Sequence, residues 1–193
     1  AECAGWVVSR STAPDPAVAP GPFAVRGVVE GFYGTPWTHA QRLDMIDFLA
    51  RRGLNTFVHT PKDDPLMRHR WREPYQGAAR DRLVELIGAC TARDVELVFC
   101  LSPGLTMRYS SAADREALLA KYLDVAGLGV RRFGLLVDDI PPMLQHPEDR
   151  AAFDDLVQAQ LELANAVAAR LREVDPHTGL IVCPTEYWGT GEE

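Results

Sequence analysis

Two hydrophobic patterns alternate along most of the chain and predict strands and helices in turn. Short runs that are almost wholly apolar predict five strands: FAVRGVV, NTFVHT, VELVFCL, RFGLLV and LIVC. Between these runs, apolar residues recur every three or four positions and predict four helices, at residues 38–52, 78–93, 112–128 and 148–174. Thr38 is a suitable N-cap for the first helix, and Gly53 follows its end. The chain therefore alternates regularly between strand and helix.

This alternation predicts an α/β fold with a parallel sheet, because strands that are apolar on both faces are typical of sheets covered by helices. Two architectures fit, a doubly wound open sheet and a TIM (β/α)8 barrel. Each predicted strand is followed by a polar, aromatic or Gly- and Pro-marked segment: EGFYGTPW, PKDDP, SPG, DDIPP and PTEYWG. A barrel carries its active site on the loops after its strands, whereas an open sheet concentrates it at one switch point. The pattern favours the barrel.

The length of the chain limits how much of a barrel it can form. A complete barrel has eight strands and typically about 250 residues, whereas these 193 residues provide about the first five strands and four helices. Residues 11–22 are rich in Pro and Ala, so residues 1–22 are predicted to be an arm or linker. Residues 23–193 are predicted to form an incomplete, N-terminal part of the barrel. Such a piece on its own would expose two sheet edges, so we expect it to be poorly soluble alone.

Composition narrows the function only slightly. The net charge of −7 argues against a nucleic-acid or anionic membrane surface, and no apolar run approaches the roughly 20 residues that span a bilayer. The first residues do not resemble a signal peptide. The cysteines, at positions 3, 90, 100 and 183, have no metal-binding spacing. We expect them to be small buried hydrophobes, which favours a reducing, cytoplasmic compartment.

Adjacent aspartates occur at residues 63–64, 138–139 and 154–155. The third pair lies near the N-terminal end of the predicted long helix, where it complements the helix dipole, and the first precedes Pro65 in a predicted turn. Asp138 and Asp139 instead follow a buried strand directly, where carboxylates are costly unless they are paired, hydrated or used.

The surroundings of Asp138 and Asp139 should differ, since successive strand residues point to opposite sides. Mutual repulsion and partial burial are expected to raise the pKa of one of them. A protonated carboxyl beside an ionised one suits acid catalysis of glycosidic cleavage. Metal binding and a structural cap remain as alternatives.

Further candidates lie on the same predicted face. The ammonium group of Lys62 could donate to sugar hydroxyls, and Tyr33, Trp37 and Tyr187 could pack against the CH faces of a sugar or fill the core.

Two other carboxylates, Glu30 and Glu186, also follow predicted strands, and either could be the partner acid of an ordinary two-carboxylate glycosidase. His59 is expected to be a satisfied buried histidine. The histidines show no close ligand spacing, so no metal site built on histidine is predicted.

In combination, six segments resemble glycoside hydrolase family 84, which contains the O-GlcNAcases and the hyaluronidase-like β-N-acetylglucosaminidases. The segments are VVEGFYGTPWT (28–38), PKDDP (61–65), WRE followed by Tyr75 (71–75), SPG (102–104), LLVDDI (135–140) and CPTEYWGTG (183–191). The resemblance covers roughly residues 23–193 and implies a TIM barrel.

The resemblance also implies a retaining β-N-acetylglucosaminidase that acts on terminal β-linked N-acetylglucosamine of a glycoprotein or glycan. In that mechanism the substrate's acetamido oxygen attacks the anomeric carbon and forms an oxazoline. Asp138 would then orient the acetamido N–H, and Asp139 would act as general acid and later as base. Gly31 and Lys62 would bind sugar hydroxyls, and Tyr187 would contact the reacting centre. No cofactor is implied.

Two other hypotheses stay open. Family members take further sugar-binding residues from the second half of the barrel, so the chain could be a catalytically incomplete carbohydrate-binding fragment. It could also be a divalent-metal hydrolase that uses the aspartates at residues 63–64 and 138–139.

Overall fold

The computed structural model describes residues 22–187, in which five parallel strands alternate with helices. The strands are β1 (Gly27–Glu30), β2 (Thr56–His59), β3 (Glu96–Leu101), β4 (Arg132–Leu136) and β5 (Gly179–Cys183), and the helices are α1 (His39–Arg51), α2 (Gly77–Thr91), α3 (Ala112–Gly127), α4 (Pro147–Ala152) and α5 (Leu156–Val174). Each strand pairs in parallel with the next, in the order β1-β2-β3-β4-β5. A doubly wound sheet would reverse this order at a switch point, so the topology is that of a barrel wall.

The long helix predicted over residues 148–174 is wrong, because the chain leaves helical geometry between α4 and α5. Phe153 ends α4 in an extended conformation with φ −132°, and Asp155 is the N-cap of α5. The side chain of Asp155 accepts a hydrogen bond from the amide of Gln158 at 2.8 Å. The apolar pattern runs through this break because Phe153 is buried in the core, whereas the capping Asp marks the true start of α5.

Four aromatic side chains lie at the centre of the interface between the sheet and the helices. Tyr75, Phe99, Tyr122 and Phe133 contact one another edge to face, with ring centroids 5.5 to 6.5 Å apart. The buried hydroxyl of Tyr122 donates to the carbonyl of Gly134 at 2.8 Å. These contacts fix β3 and β4 rigidly relative to α3, and thereby the segment that follows β4.

The edges of the sheet differ from its centre. β3 is buried along almost all of its length, as predicted for a strand covered on both faces. Val29 of β1 and Ile181 of β5 are instead 61% and 54% exposed. β1 also begins at Gly27 rather than at Phe23, which is exposed. Among the described residues β1 pairs only with β2 and β5 only with β4, so the sheet has the two open edges expected of a five-stranded part of a barrel.

The cysteines at positions 90 and 100 are free and buried, as predicted, and burial raises the pKa of each thiol to about 12. Cys183 is partly buried, and Cys3 lies outside the described residues, as does nearly all of the predicted arm. Among residues 22–187, no helix has the length and apolar character needed to cross a membrane.

Candidate active site

Four predicted site residues meet at the C-terminal ends of β1, β2 and β4. The ammonium nitrogen of Lys62 lies 2.5 Å from Asp138 Oδ2 and 3.4 Å from Asp139 Oδ2. The hydroxyl of Tyr33 donates to Asp139 Oδ2 at 2.7 Å. Residues from three separate loops thus converge on one pair of carboxylates, on the face where a barrel carries its active site.

Asp138 is the more enclosed member of the pair, with its side chain 12% exposed. Its Oδ2 accepts the hydrogen bond from Lys62. Its Oδ1 is buried and has no hydrogen-bond partner among the described residues. Buried polar atoms are nearly always paired, so Oδ1 is an acceptor open to a donor from outside the described residues.

Asp139 occupies a different setting. Its backbone has φ +55°, in the left-handed region that non-glycine residues adopt at some cost, and its side chain is 36% exposed. The hydrogen bond from Tyr33 lowers the pKa of Asp139, partial burial opposes this, and the charges of Lys62 and Arg68 lower it further. The raised pKa expected for one member of the pair is therefore not found at Asp139, because these donors outweigh burial.

Lys62 is a buried cation between the two carboxylates, with its side chain 7% exposed. Burial alone would lower its pKa, but the hydrogen bond and charge of Asp138 and the charge of Asp139 raise it. Lys62 is thus held as an ammonium group with three donors. It offsets the repulsion between the carboxylates.

Arg68 is a site residue that the sequence did not indicate. Its guanidinium is buried, donates to the Tyr33 hydroxyl at 2.7 Å, and lies 3.5 Å from the backbone carbonyl of Asp139. Its Cζ also lies 5.1 Å from the centre of the Tyr33 ring. An arginine in an irregular loop carries no periodic signal, so only the three-dimensional contacts reveal this role.

Glu30, Trp37 and His59 form a structural cluster beside the site. Glu30 is fully buried, accepts two hydrogen bonds from Arg42 at 2.8 and 2.9 Å, and accepts a third from the amide of Trp37. His59 is buried as predicted, but its Nδ1, 3.4 Å from Glu30 Oε2, has no hydrogen-bond partner among the described residues, so the expectation that it is satisfied is wrong. The Trp37 ring stacks on Phe57 with centroids 6.4 Å apart, which is the core-filling alternative for this residue.

The loop after β1 is fastened to the loop after β2. A Cβ added at Gly31 would lie 3.0 Å from Val29 Cγ1 and 3.4 Å from Thr60 Cγ2, so a side chain there would be crowded. The amide of Gly34 donates to Asp63 Oδ2 at 2.8 Å. These contacts bring the backbone at Gly31 close to the end of β2.

The loop after β5 is tied to the residue that precedes Asp138. The buried hydroxyl of Thr185 donates to the carbonyl of Val137 at 2.7 Å. Glu186 is exposed and lines a groove between α5 and β5. Tyr187 is 57% exposed at the end of the described range.

The four-aspartate metal site does not assemble. Asp63 accepts from Gly34, and Asp64 Oδ1 accepts from the amide of Leu66 at 2.9 Å, which is the turn role predicted for it. Within residues 22–187, no group of three or more His, Cys, Asp or Glu side chains is arranged to hold a metal ion.

Comparison with known proteins identifies the family of the chain. A family model described as beta-N-acetylglucosaminidase matches residues 26–193. The chain therefore belongs to the β-N-acetylglucosaminidases of glycoside hydrolase family 84, and the resemblance seen in its motifs is confirmed.

The relatives include the Protein O-GlcNAcase of Rattus norvegicus and that of Mus musculus, each 38% identical over 164 residues. The aligned region is 85% of this chain but 18% of each relative, so the chain spans about a fifth of their length. A solved mutant of an O-GlcNAc hydrolase from Thermobaculum terrenum has a TM-score of 0.83 at 38% identity, covering 86% of this chain and 36% of that one. This match confirms the predicted fold, the first part of a TIM barrel.

Proposed function

We propose that the chain supplies the reacting carboxylates of a retaining β-N-acetylglucosaminidase that works by substrate-assisted catalysis. The observation that carries this proposal is the pairing at Asp138: one oxygen is held by Lys62 at 2.5 Å, and the other is buried with no hydrogen-bond partner in residues 22–187. A carboxylate fixed in this way is a ready acceptor for the N–H of a 2-acetamido group. When Asp138 accepts a hydrogen bond from this N–H, the acetamido oxygen becomes a better nucleophile toward the anomeric carbon.

Asp139 is the proposed acid and base. It is more exposed than Asp138, and Lys62 lies farther from it, at 3.4 rather than 2.5 Å. Lys62 is therefore bonded directly to Asp138, whereas Asp139 is the carboxylate that a leaving group and solvent can reach. Asp139 donates a proton to the leaving oxygen as the oxazoline ring forms. It then removes a proton from the water that opens the ring, which gives retention of configuration.

The proposed substrate is a terminal β-linked N-acetylglucosamine on a glycoprotein or glycan. Lys62 and the backbone of Gly31 bind the sugar hydroxyls, while Tyr33 and Tyr187 border the reacting centre. The lowered pKa of Asp139 depends on Tyr33 and Lys62, both of which a bound sugar would contact. A sugar hydroxyl that takes up hydrogen bonds from these groups weakens their hold on Asp139 and so favours its protonated form.

The test compares Asp139→Asn with Asp154→Asn in the intact protein, using an activated aryl N-acetylglucosaminide. Asp154 is an exposed member of another aspartate pair and serves as the matched control. We expect Asp139→Asn to abolish turnover while thermal unfolding stays near that of the wild type, and Asp154→Asn to leave both unchanged. Near-normal turnover by Asp139→Asn would refute the acid/base assignment.

Two further measurements separate the alternatives. The first is calorimetric titration of N-acetylglucosamine into the wild-type protein. Binding of the sugar without turnover of the aryl substrate would favour a carbohydrate-binding role instead. Loss of activity in excess chelator would favour the metal-dependent hydrolase.

A further inference from the structure

Arg68 makes contacts that only a positioning role explains well. It is 7% exposed, yet its guanidinium is directed at Tyr33 and at the backbone of Asp139. Burying a guanidinium is costly, and here its N–H groups face two groups of the proposed site.

The donor and acceptor chemistry of these groups fixes the direction of one proton. A guanidinium can only donate, so the Tyr33 oxygen must accept from Arg68. The Tyr33 hydroxyl hydrogen is then left to point at Asp139 Oδ2, 2.7 Å away. Lys62 approaches the same oxygen at 3.4 Å. Oδ2 of Asp139 is therefore occupied, and Oδ1 is the oxygen left to carry a transferable proton.

We infer that Arg68 is a positioning residue that, through Tyr33, makes Oδ1 of Asp139 the proton donor to the leaving oxygen. The contact of 3.5 Å between Arg68 Nη2 and the Asp139 carbonyl supports the same role, because it steadies a residue whose backbone has φ +55°. This inference rests on the proposed function, since it concerns how Asp139 performs the acid step. It adds a residue and a specific carboxylate oxygen to that function.

The inference predicts a signature in the pH profile. The charged and titratable groups that face Asp139 are Tyr33 from the loop after β1, Lys62 and Arg68 from the loop after β2, Asp138 beside it, and Cys183 of β5. Tyr33 and both cations lower the pKa of Asp139. Removing Arg68 removes one cation and frees the Tyr33 hydroxyl to turn, so Asp139 keeps its proton to higher pH.

The experiment uses Arg68→Met, Tyr33→Phe, the double variant and Arg70→Met in the intact protein. Arg70 is an exposed arginine of the same loop, paired with Glu73, and is the matched control. Each variant is assayed with aryl N-acetylglucosaminides whose leaving groups range from good to poor. A good leaving group departs with little help from an acid, whereas a poor one requires the proton.

We expect Arg68→Met to lose roughly ten- to a hundredfold in kcat/KM with poor leaving groups and less than about threefold with good ones. The alkaline limb of its pH profile should move up by roughly half a unit to one unit. The double variant should lose less than the product of the two single losses, since both changes break one chain of contacts. Arg70→Met should match the wild type.

Equal losses across all leaving groups, or additive effects in the double variant, would overturn the inference. If Arg68→Met does not fold, Tyr33→Phe must still show the leaving-group dependence, and its absence would also overturn it. The proposed function fails separately, because Asp139→Asn would then keep its activity. A failure of this inference alone leaves Asp139→Asn inactive, while Arg68→Met shows no dependence on the leaving group.

Discussion

Replacing Glu30 by Gln tests whether this buried carboxylate is structural or catalytic. The side chain is fully buried, and its two oxygens accept from Arg42 Nε at 2.8 Å, from Arg42 Nη2 at 2.9 Å and from the Trp37 amide at 3.0 Å. Gln keeps a carbonyl oxygen for the Trp37 amide and Arg42 Nη2. Its amide nitrogen would face the Nε–H of Arg42, so two donors would oppose each other.

The expected loss in the free energy of unfolding follows from these contacts. Removing one partner of a buried ion pair costs about 3–5 kcal/mol, because it leaves the other charge uncompensated. The Arg42 side chain is 14% exposed and can regain some hydration, which places the expected loss near the lower end, at about 3 kcal/mol. Glu30→Gln should therefore lower the free energy of unfolding by that amount near neutral pH.

The pH dependence has a defined sign. Burial raises the pKa of Glu30, but the adjacent His59 ring and the hydrogen bonds and charge of Arg42 outweigh it, so the pKa lies below its ordinary value of 4.5. A carboxyl whose pKa is lowered in the fold stabilises the protein above its unfolded pKa, and this contribution is lost as the pH falls through its folded pKa. The difference in stability between wild type and Glu30→Gln should therefore be constant above about pH 5 and shrink below pH 4.5.

Urea unfolding between pH 3 and pH 7 measures this difference, and the aryl-glycoside assay on the folded fraction measures turnover. We expect turnover within about tenfold of the wild type, since a missing acid or base would cost roughly a hundred- to ten-thousandfold. A Glu30→Gln variant that is fully stable but loses a thousandfold in kcat would refute the structural interpretation and make Glu30 a catalytic carboxylate.

Two pairs of variants, each a test and its control, examine the packing of β1 against β2 and the N-cap of α5. Gly27→Ala would place a Cβ 1.7 Å from the Thr56 carbonyl oxygen and should cost at least about 3 kcal/mol, whereas Gly88→Ala, with nothing within 4 Å, should stabilise α2 by up to about 1 kcal/mol. Asp155→Ala should lose about 1 kcal/mol with the N-cap of α5, whereas Asp154→Ala should change stability little. Thermal unfolding measures all four, and equal effects within a pair would contradict the assignment.

The strand order and the place of the site were predictable from the sequence because both depend on local patterns. Buried parallel strands are continuous apolar runs, and the carboxyl ends of such strands meet on one face. Asp138 and Lys62 could thus be assigned to one face from their positions after RFGLLV and NTFVHT. The break at Phe153 was missed because a buried aromatic preserves the helical spacing even where the backbone is extended.

The contacts that set the chemistry of the pair were less predictable, because they join residues far apart in the sequence. Tyr33 and Asp139 are separated by 106 positions, and Lys62 and Asp138 by 76. The sequence-based expectation for the pair rested on repulsion between adjacent carboxylates and on partial burial, and both predict a raised pKa. The fold adds a cation and a phenol donor to the same carboxylates, so the pKa of Asp139 is lowered rather than raised.

The backbone at Asp139 explains how adjacent residues can share one cation. In a continued strand, alternation would send the side chains of Asp138 and Asp139 to opposite faces. β4 ends at Leu136, and the left-handed φ of +55° at Asp139 breaks the alternation, so both carboxylates reach Lys62. Asn adopts this conformation nearly as readily as Asp, whereas a β-branched residue does not. Asp139→Asn therefore removes the transferable proton while keeping the turn, and its loss of activity can be assigned to chemistry rather than to a displaced Asp138.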